Sequence, residues 1–290
     1  MFVLSVIATM LALAFIIEVY KRQKDRFANN EKEQLPVFER SVELLWKGET
    51  QCFCRNKIVL NIKTKPPHTH HYSFITIAHI FGIRDIKRLI IQDAETGITI
   101  NNSSSKEEWL LPMVNRKSFY VSVENGSCVT PNYRIKDIAS GLGTYERIKR
   151  FSLCFYNHIW HLDADDGFRR HFVRAADSPE EAADNQSRWL WEMWGGNEPM
   201  YSTKYGQGAI FKRMLSRHDV SRMSFDNSCT WLKTMKAVSR EVFNEEQDNK
   251  KLINSISLYW LHFLAFFEYT AEQRTQFQAI LFEDSKLSNT

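Results

Sequence analysis

The residues best placed to do chemistry are a lone histidine and the aromatic and glycine residues around it. Trp194-Gly195-Gly196 and Tyr205-Gly206 precede His218, which Arg217 and Asp219 flank, and Trp231 follows thirteen residues further on. That spacing suits a histidine on a short helix and a tryptophan on the next, both facing one apolar cavity. An imidazole aimed into such a cavity can serve an iron porphyrin as its proximal axial ligand. A lone histidine is more often an ordinary core or surface residue, so its neighbours must decide between the two readings.

Helices must position these groups. Ala182, Gln186, Trp189, Leu190 and Met193 recur at helical spacing, making one face of a helix that stops at Gly195-Gly196. Tyr145, Ile148, Ser152, Phe155, Tyr156 and Ile159 make a second such face. Trp231, Met235, Val238 and Val242 make a third, entered through Ser224 or Asp226 as the N-cap. A fourth pattern, Leu252 to Phe267, follows a polar connection at Asn244 to Lys251, and residues 206–217 form a poorly helical stretch leading to His218. The back half reads as all-α.

Taken in order and spacing, Phe155-Tyr156, Arg169-Arg170-His171-Phe172, Trp194-Gly195-Gly196, Tyr201 with Tyr205-Gly206, Arg217-His218, and Trp231-Leu232 with Met235 resemble the truncated haemoglobins, and within them group II. The resemblance covers residues 139–270, with Gly141-Leu142-Gly143 similar to the glycine pair that opens that globin. It implies a two-over-two helical sandwich around haem. It also implies His218 as the proximal iron ligand, Phe172 packed flat on the porphyrin, and Ala182 at the distal gate, where alanine has no hydrogen bond to donate. The polar work then falls on Tyr156, Gln186 and Trp231, whose donors suit an oxygen that gathers negative charge. Tyr156 and Trp231 also read as amphipathic core residues, and Gln186 as a helix-edge residue in water. Two loops are longer than in that family: Gly206 to His218, and Trp160 to Phe172 with Asp163, Asp165 and Asp166.

The front half is a different object. Phe2 to Ile17 is apolar apart from Ser5 and Thr9, and Glu18, Lys21, Arg22, Lys24, Asp25 and Arg26 follow at once. A removed signal peptide would carry its positive charge first and a small-residue cleavage site after, so residues 1–20 read as an uncleaved membrane anchor. The basic cluster behind it places the body of the protein on the cytosolic side. Residues 21–50 read as a charged linker. From 51 to 126 the pattern is strand-rich: Gln51 to Arg55, Ile58 to Ile62, Arg88 to Gln92, Ile98 to Ile100 and Phe119 to Val123, with a helix at Tyr72 to Phe81 and a turn at Asp93 to Gly97. That order is the one a ubiquitin-like β-grasp, a type of module that binds protein partners, would give. Residues 271–290 read as a C-terminal tail. The fold expected for the whole chain is α+β.

Five cysteines, an odd number without framework spacing, point to a reduced compartment. Cys52-Phe53-Cys54 reads either as a redox pair or as two side chains sharing one strand face. His68, His70 and His71 read as a solvated loop, with no carboxylate or cysteine placed to complete a metal site. A net charge of +4 with 34 acidic residues dispersed among the basic ones excludes a nucleic-acid binder. The reading is a membrane-anchored haem protein that binds or carries O₂ and accepts NO and CO. Turnover such as NO dioxygenation or peroxidase chemistry would need a separate reductase, since the chain has no Gly-rich dinucleotide fingerprint. The alternative is a haem-based gas or redox sensor, or adaptor, whose strand-rich domain docks a partner at the membrane.

Overall fold

The computed structural model describes residues 38–47, 52–64, 74–100, 118–124, 133–163, 166–173, 176–206, 210, 224–243, 249–267 and 269–282. The apolar run at residues 1–20, the His68 to His71 loop and His218 lie outside them. Among the described residues no helix is long and apolar enough to cross a membrane. The larger of the chain's two compact units, Val42–Leu60 with Tyr72–Thr290, holds everything described apart from the outer ends of the first two strands.

A five-stranded sheet opens the chain: β1 (Phe38–Trp46), β2 (Lys57–Thr64), β3 (Leu89–Asp93), β4 (Thr99–Ile100) and β5 (Ser118–Val123), in the order β2-β1-β5-β3-β4. The central pair β1/β5 is parallel, with Leu44 beside Phe119, while β5/β3 and β3/β4 are antiparallel. Alternation decides the faces: Val42, Leu44, Leu89, Ile91, Phe119 and Val121 are buried. Helix α1 (Phe74–Ile80), buried along its whole length, follows β2 in the chain. The expected turn at Asp93 forms because its Oδ1 accepts the backbone N–H of Glu95 and Thr96, at 2.9 and 2.7 Å.

Three boundaries differ from the sequence reading. Residues 38–46 are strand β1 rather than linker: Val42 and Leu44 alternate into the core, and β5, far along the chain, supplies the pairing. Cys52 to Arg55 form bends rather than a strand. There the Phe53 carbonyl accepts the Ile135 N–H at 2.9 Å, and the Phe53 ring lies where a Cβ on Gly82 would come within 2.5 Å of it. Residues 271–282, expected as tail, form a helix that buries Phe277, Leu281 and Phe282.

The helical half comprises α2 (Ile138–Leu142), α3 (Tyr145–Trp160), α4 (Gly167–Val173), α5 (Pro179–Met193), α6 (Met200–Tyr205), α7 (Phe225–Phe243), α8 (Asn249–Leu264) and α9 (Ala271–Phe282). Local capping sets their starts. Asp166 Oδ1 accepts the N–H of Phe168 and Arg169 ahead of α4. Ser178 caps α5, with Pro179 in its first turn. Ser224, not Asp226, caps α7 through the Asn227 N–H. Thr270 and Gln273 cap α9 reciprocally. Helix α3 packs on α5 and α7, α7 also meets α8 and α9, and α1 packs on α8 and α9.

Candidate functional site

The Trp-Gly-Gly turn is structural, and its geometry requires both glycines. Gly195 has φ +86°, and a Cβ there would sit 1.8 Å from the Lys136 carbonyl oxygen. A Cβ on Gly196 would fall 2.2 Å from the Trp191 indole. The turn lets the Trp194 carbonyl accept the Ala139 N–H at 3.0 Å. Trp194 itself is fully buried, edge-on to Tyr259 at 5.5 Å. The end of α5 is thus tied to the start of the helical half.

Helix α5 is also pinned to its other neighbours. Ser187 spends its hydroxyl proton on the Asp184 carbonyl, so Tyr145 of α3 donates to Ser187 Oγ at 2.8 Å. The Glu192 carboxylate accepts the N–H groups of Tyr201 and Ser202 and the Ser202 hydroxyl, capping α6. Tyr205 donates to Asn185, and Lys204 reaches both Asn185 and Asp184. Partial burial pulls the Asp184 carboxyl upward, but hydrogen bonds from Arg188 and Lys204 prevail and hold it below its ordinary value.

On this frame the expected site residues fall into groups. Tyr156 of α3 and Phe172 of α4 meet edge to face at 6.1 Å, and Phe155 touches both, at 5.1 and 5.7 Å. Asn227 of α7 donates to His171 Nε2 at 2.9 Å, which holds α4 and its Phe172 against the start of α7. Trp231 is buried on α7, edge-on to Trp260 at 5.3 Å and beside Phe263 at 5.5 Å. Trp189 of α5 also lies against Phe263, at 6.1 Å, so that ring touches both α5 and α7. Ala182 is buried one turn before Gln186.

Gln186 and Trp189 carry the chemically informative feature. Both lie on α5 three residues apart, a spacing that shares a helix face. The Gln186 Oε1 and the Trp189 Nε1 are buried without a hydrogen-bond partner. Arg169 Nε on α4 is in the same condition. Buried polar groups are normally satisfied, and one left unmade costs about 1–3 kcal/mol. An amide oxygen and an indole N–H left unsatisfied on one helix face, among aromatic neighbours, suit a large, mostly apolar group with polar edges. Haem is such a group.

Sequence reasoning placed Trp189 on the inner face of its helix without assigning it to the site, and named Arg169 only within a motif. Helical spacing shows that a side chain points inward. It does not show that its polar atom finds nothing there.

The segment holding this constellation has a counterpart among known proteins. Residues 139–263 match the family model of the bacterial-like globins. No curated protein and no solved structure matches the chain.

Proposed function

We propose that residues 139–263, which match the family model of the bacterial-like globins, bind haem and at it O₂, with NO and CO as further ligands. His218 is the proximal ligand and Phe172 lies against the porphyrin. Tyr156, Gln186 and Trp231 are the distal polar groups beside Ala182. The observation that supports this most is the pair of unsatisfied polar atoms on α5, Gln186 Oε1 and Trp189 Nε1. Bound haem supplies an iron open to a diatomic ligand. Tyr156 brings an O–H from α3 and Trp231 an N–H from α7, both suited to a partly anionic oxygen. Ala182 gives room and no donor. Phe155, Phe172 and Phe263 wall the interior and keep water out.

Spectra of the full-length chain in its ferric, ferrous and carbonyl forms test this reading. His218→Ala should abolish stable haem retention or leave a site that imidazole restores. Unchanged haem content with an unchanged carbonyl spectrum would remove His218 from the role.

Residues 1–20 are proposed as a single membrane anchor, supported by their apolar run and by Lys21, Arg22, Lys24 and Arg26 behind it. The globin then lies on the cytosolic side. Full-length protein should resist carbonate extraction, whereas a chain starting near Glu31 should not. Protection of the globin from protease in sealed vesicles would overturn the topology.

A second reading, a gas or redox sensor, draws on a specific contact. His262 of α8 donates to the Ile80 carbonyl of α1 at 2.7 Å, which ties the sheet's helix to the globin. The order β2-β1-β5-β3-β4 with a parallel central pair supports a ubiquitin-like β-grasp that would pass such a signal to a protein partner. A sensor should change its partner affinity with the haem ligand. A detoxifying enzyme should consume NO when given O₂ and a reductase.

A further inference from the structure

We propose that Cys154, His158 and Glu241 form a site for a divalent transition metal, zinc being the ion they suit best, across the outer side of the α3–α7 contact. Cys154 and His158 are four residues apart on α3, the spacing that stacks two side chains on one helix face. Helix α7, packed on α3, brings Glu241 to them. One ligand atom from each of the three residues lies within 4.8 Å of the others.

The His158 ring lies against the sulfur, its Nδ1 3.9 Å from Cys154 Sγ. A tetrahedral zinc, with bonds of about 2.3 Å to sulfur and about 2.0 Å to nitrogen, would draw ligand atoms now within 4.8 Å of one another to a sulfur–nitrogen separation of about 3.5 Å. His158 Nδ1–H donates to the Cys154 carbonyl at 3.0 Å, which fixes the tautomer and leaves the lone pair on Nε2. Imidazoles that bind metals are oriented by this kind of bond.

Donor chemistry selects the ion. A thiolate, an imidazole and a carboxylate together favour zinc over magnesium or calcium, which take oxygen ligands. Cys154 is half-buried while His158 and Glu241 are exposed, so an ion enters from solvent. Three protein ligands leave a fourth position to water. Burial and the neighbouring Glu241 carboxylate push the Cys154 thiol up to about 11, against a smaller opposing pull from Arg150. Binding therefore exchanges one thiol proton, released to solvent, for one metal–sulfur bond.

The site needs no haem. It cross-links α3, which carries Tyr156, to α7, which carries Trp231.

Cobalt(II) is the probe, added to the full-length chain and recorded as a difference spectrum so that any haem absorbance cancels. The wild-type protein should give a thiolate charge-transfer band that saturates at one equivalent and disappears when zinc is added. Cys154→Ser should abolish the band. His158→Ala and Glu241→Gln, both at exposed positions that leave the fold intact, should each weaken the apparent affinity at least tenfold. The Cys52→Ser/Cys54→Ser double variant should keep the band, and the His68 to His71 loop, lacking sulfur, cannot produce it. A wild-type chain without the band, a band that survives Cys154→Ser, a band lost in the Cys52/Cys54 double variant, or unchanged affinity in His158→Ala and Glu241→Gln would each overturn the site.

Discussion

At the seam where α1 meets α8 and α9, buried polar groups find partners in backbone and amide; on the inner face of α5 they do not. Arg274, 3% exposed on α9, donates to the carbonyls of Leu264, Ala265 and Phe267 at the end of α8, at 3.0, 3.5 and 2.6 Å. Gln278 donates to the Arg84 carbonyl at 2.9 Å and accepts from His79 Nε2 at 3.3 Å. Here the His79 Nδ1 keeps an unused lone pair. On α5, by contrast, Gln186 Oε1 and Trp189 Nε1 are unsatisfied, and the indoles of Trp191, Trp194 and Trp260 repeat the pattern through the helical core. The seam is finished by the chain itself. The α5 face leaves an acceptor and a donor unused.

The largest effect should come from breaking the finished side. Arg274→Met removes the donors for three carbonyls at a helix end, where the chain has no intrahelical donor to offer. Stability should fall by about 3 kcal/mol or more, in the range for stripping a buried charged partner from a bonded network. The loss should be the same with and without haem, read as the shift in urea midpoint. A loss below about 1 kcal/mol would mean that the seam's hydrogen bonds are replaceable by water.

Acid sharpens the contrast next. Burial lowers His79 to about 3, with Arg274 adding to the effect, and lowers His262 to about 4. Both sit below their ordinary 6.5, so between those values the unfolded chain binds more protons than the folded one. Stability is therefore full above pH 6.5 and falls as the pH drops, by about 1.4 kcal/mol per pH unit for each histidine. His79→Gln keeps a donor at the Nε2 position and His262→Asn one at Nδ1, while neither titrates. The double variant, measured haem-free, should lose most of this acid slope. An unchanged slope would place the acid sensitivity elsewhere.

The two regions also differed in how far the sequence disclosed them. The helical half was legible because each helix carries its own period, its cap and the Trp-Gly-Gly stop, all local signals. Strand β1 and helix α9 were not, because what stabilises them is remote. Leu44 is paired by Phe119, and Phe277 is covered by a helix earlier in the chain. The Cys52 to Arg55 stretch has strand-like composition, but Phe53 is captured by the helical core. In the site, the family resemblance singled out Tyr156 and Phe172 separately and their ring contact came only with the structure, as did the unsatisfied Trp189 indole, which leaves no trace in spacing. The Cys154–His158 pair was readable at i and i+4, but its third member comes from another helix.

Distal donors test the unfinished side directly. Tyr156→Phe and Trp231→Phe each delete one donor, worth about 1.5–3 kcal/mol toward a partly charged acceptor. Each should raise the O₂ dissociation rate about tenfold or more, read by stopped-flow displacement with CO. The double variant should be non-additive because both donors address one ligand. If both single variants stay within about twofold, the two side chains are core packing, and the polar groups on α5 serve something other than a gas.

The smallest effect is the most discriminating because it should do harm only when haem is bound. Gln186→Leu replaces an amide whose buried oxygen has no partner with an apolar group of similar size. In the haem-free chain, removing an unsatisfied acceptor should leave stability unchanged or raise it by about 1 kcal/mol. The haem-loaded protein should instead lose ligand discrimination, seen as a faster O₂ release at unchanged CO binding, because the same amide carries an N–H₂ donor. At the seam the matching change, Gln278→Leu, should destabilise both forms, since it strips the Arg84 carbonyl and the His79 N–H of their partners. If Gln186→Leu destabilises the haem-free chain as Gln278→Leu does, then α5 is an ordinary packed face, and the contrast between the two regions collapses.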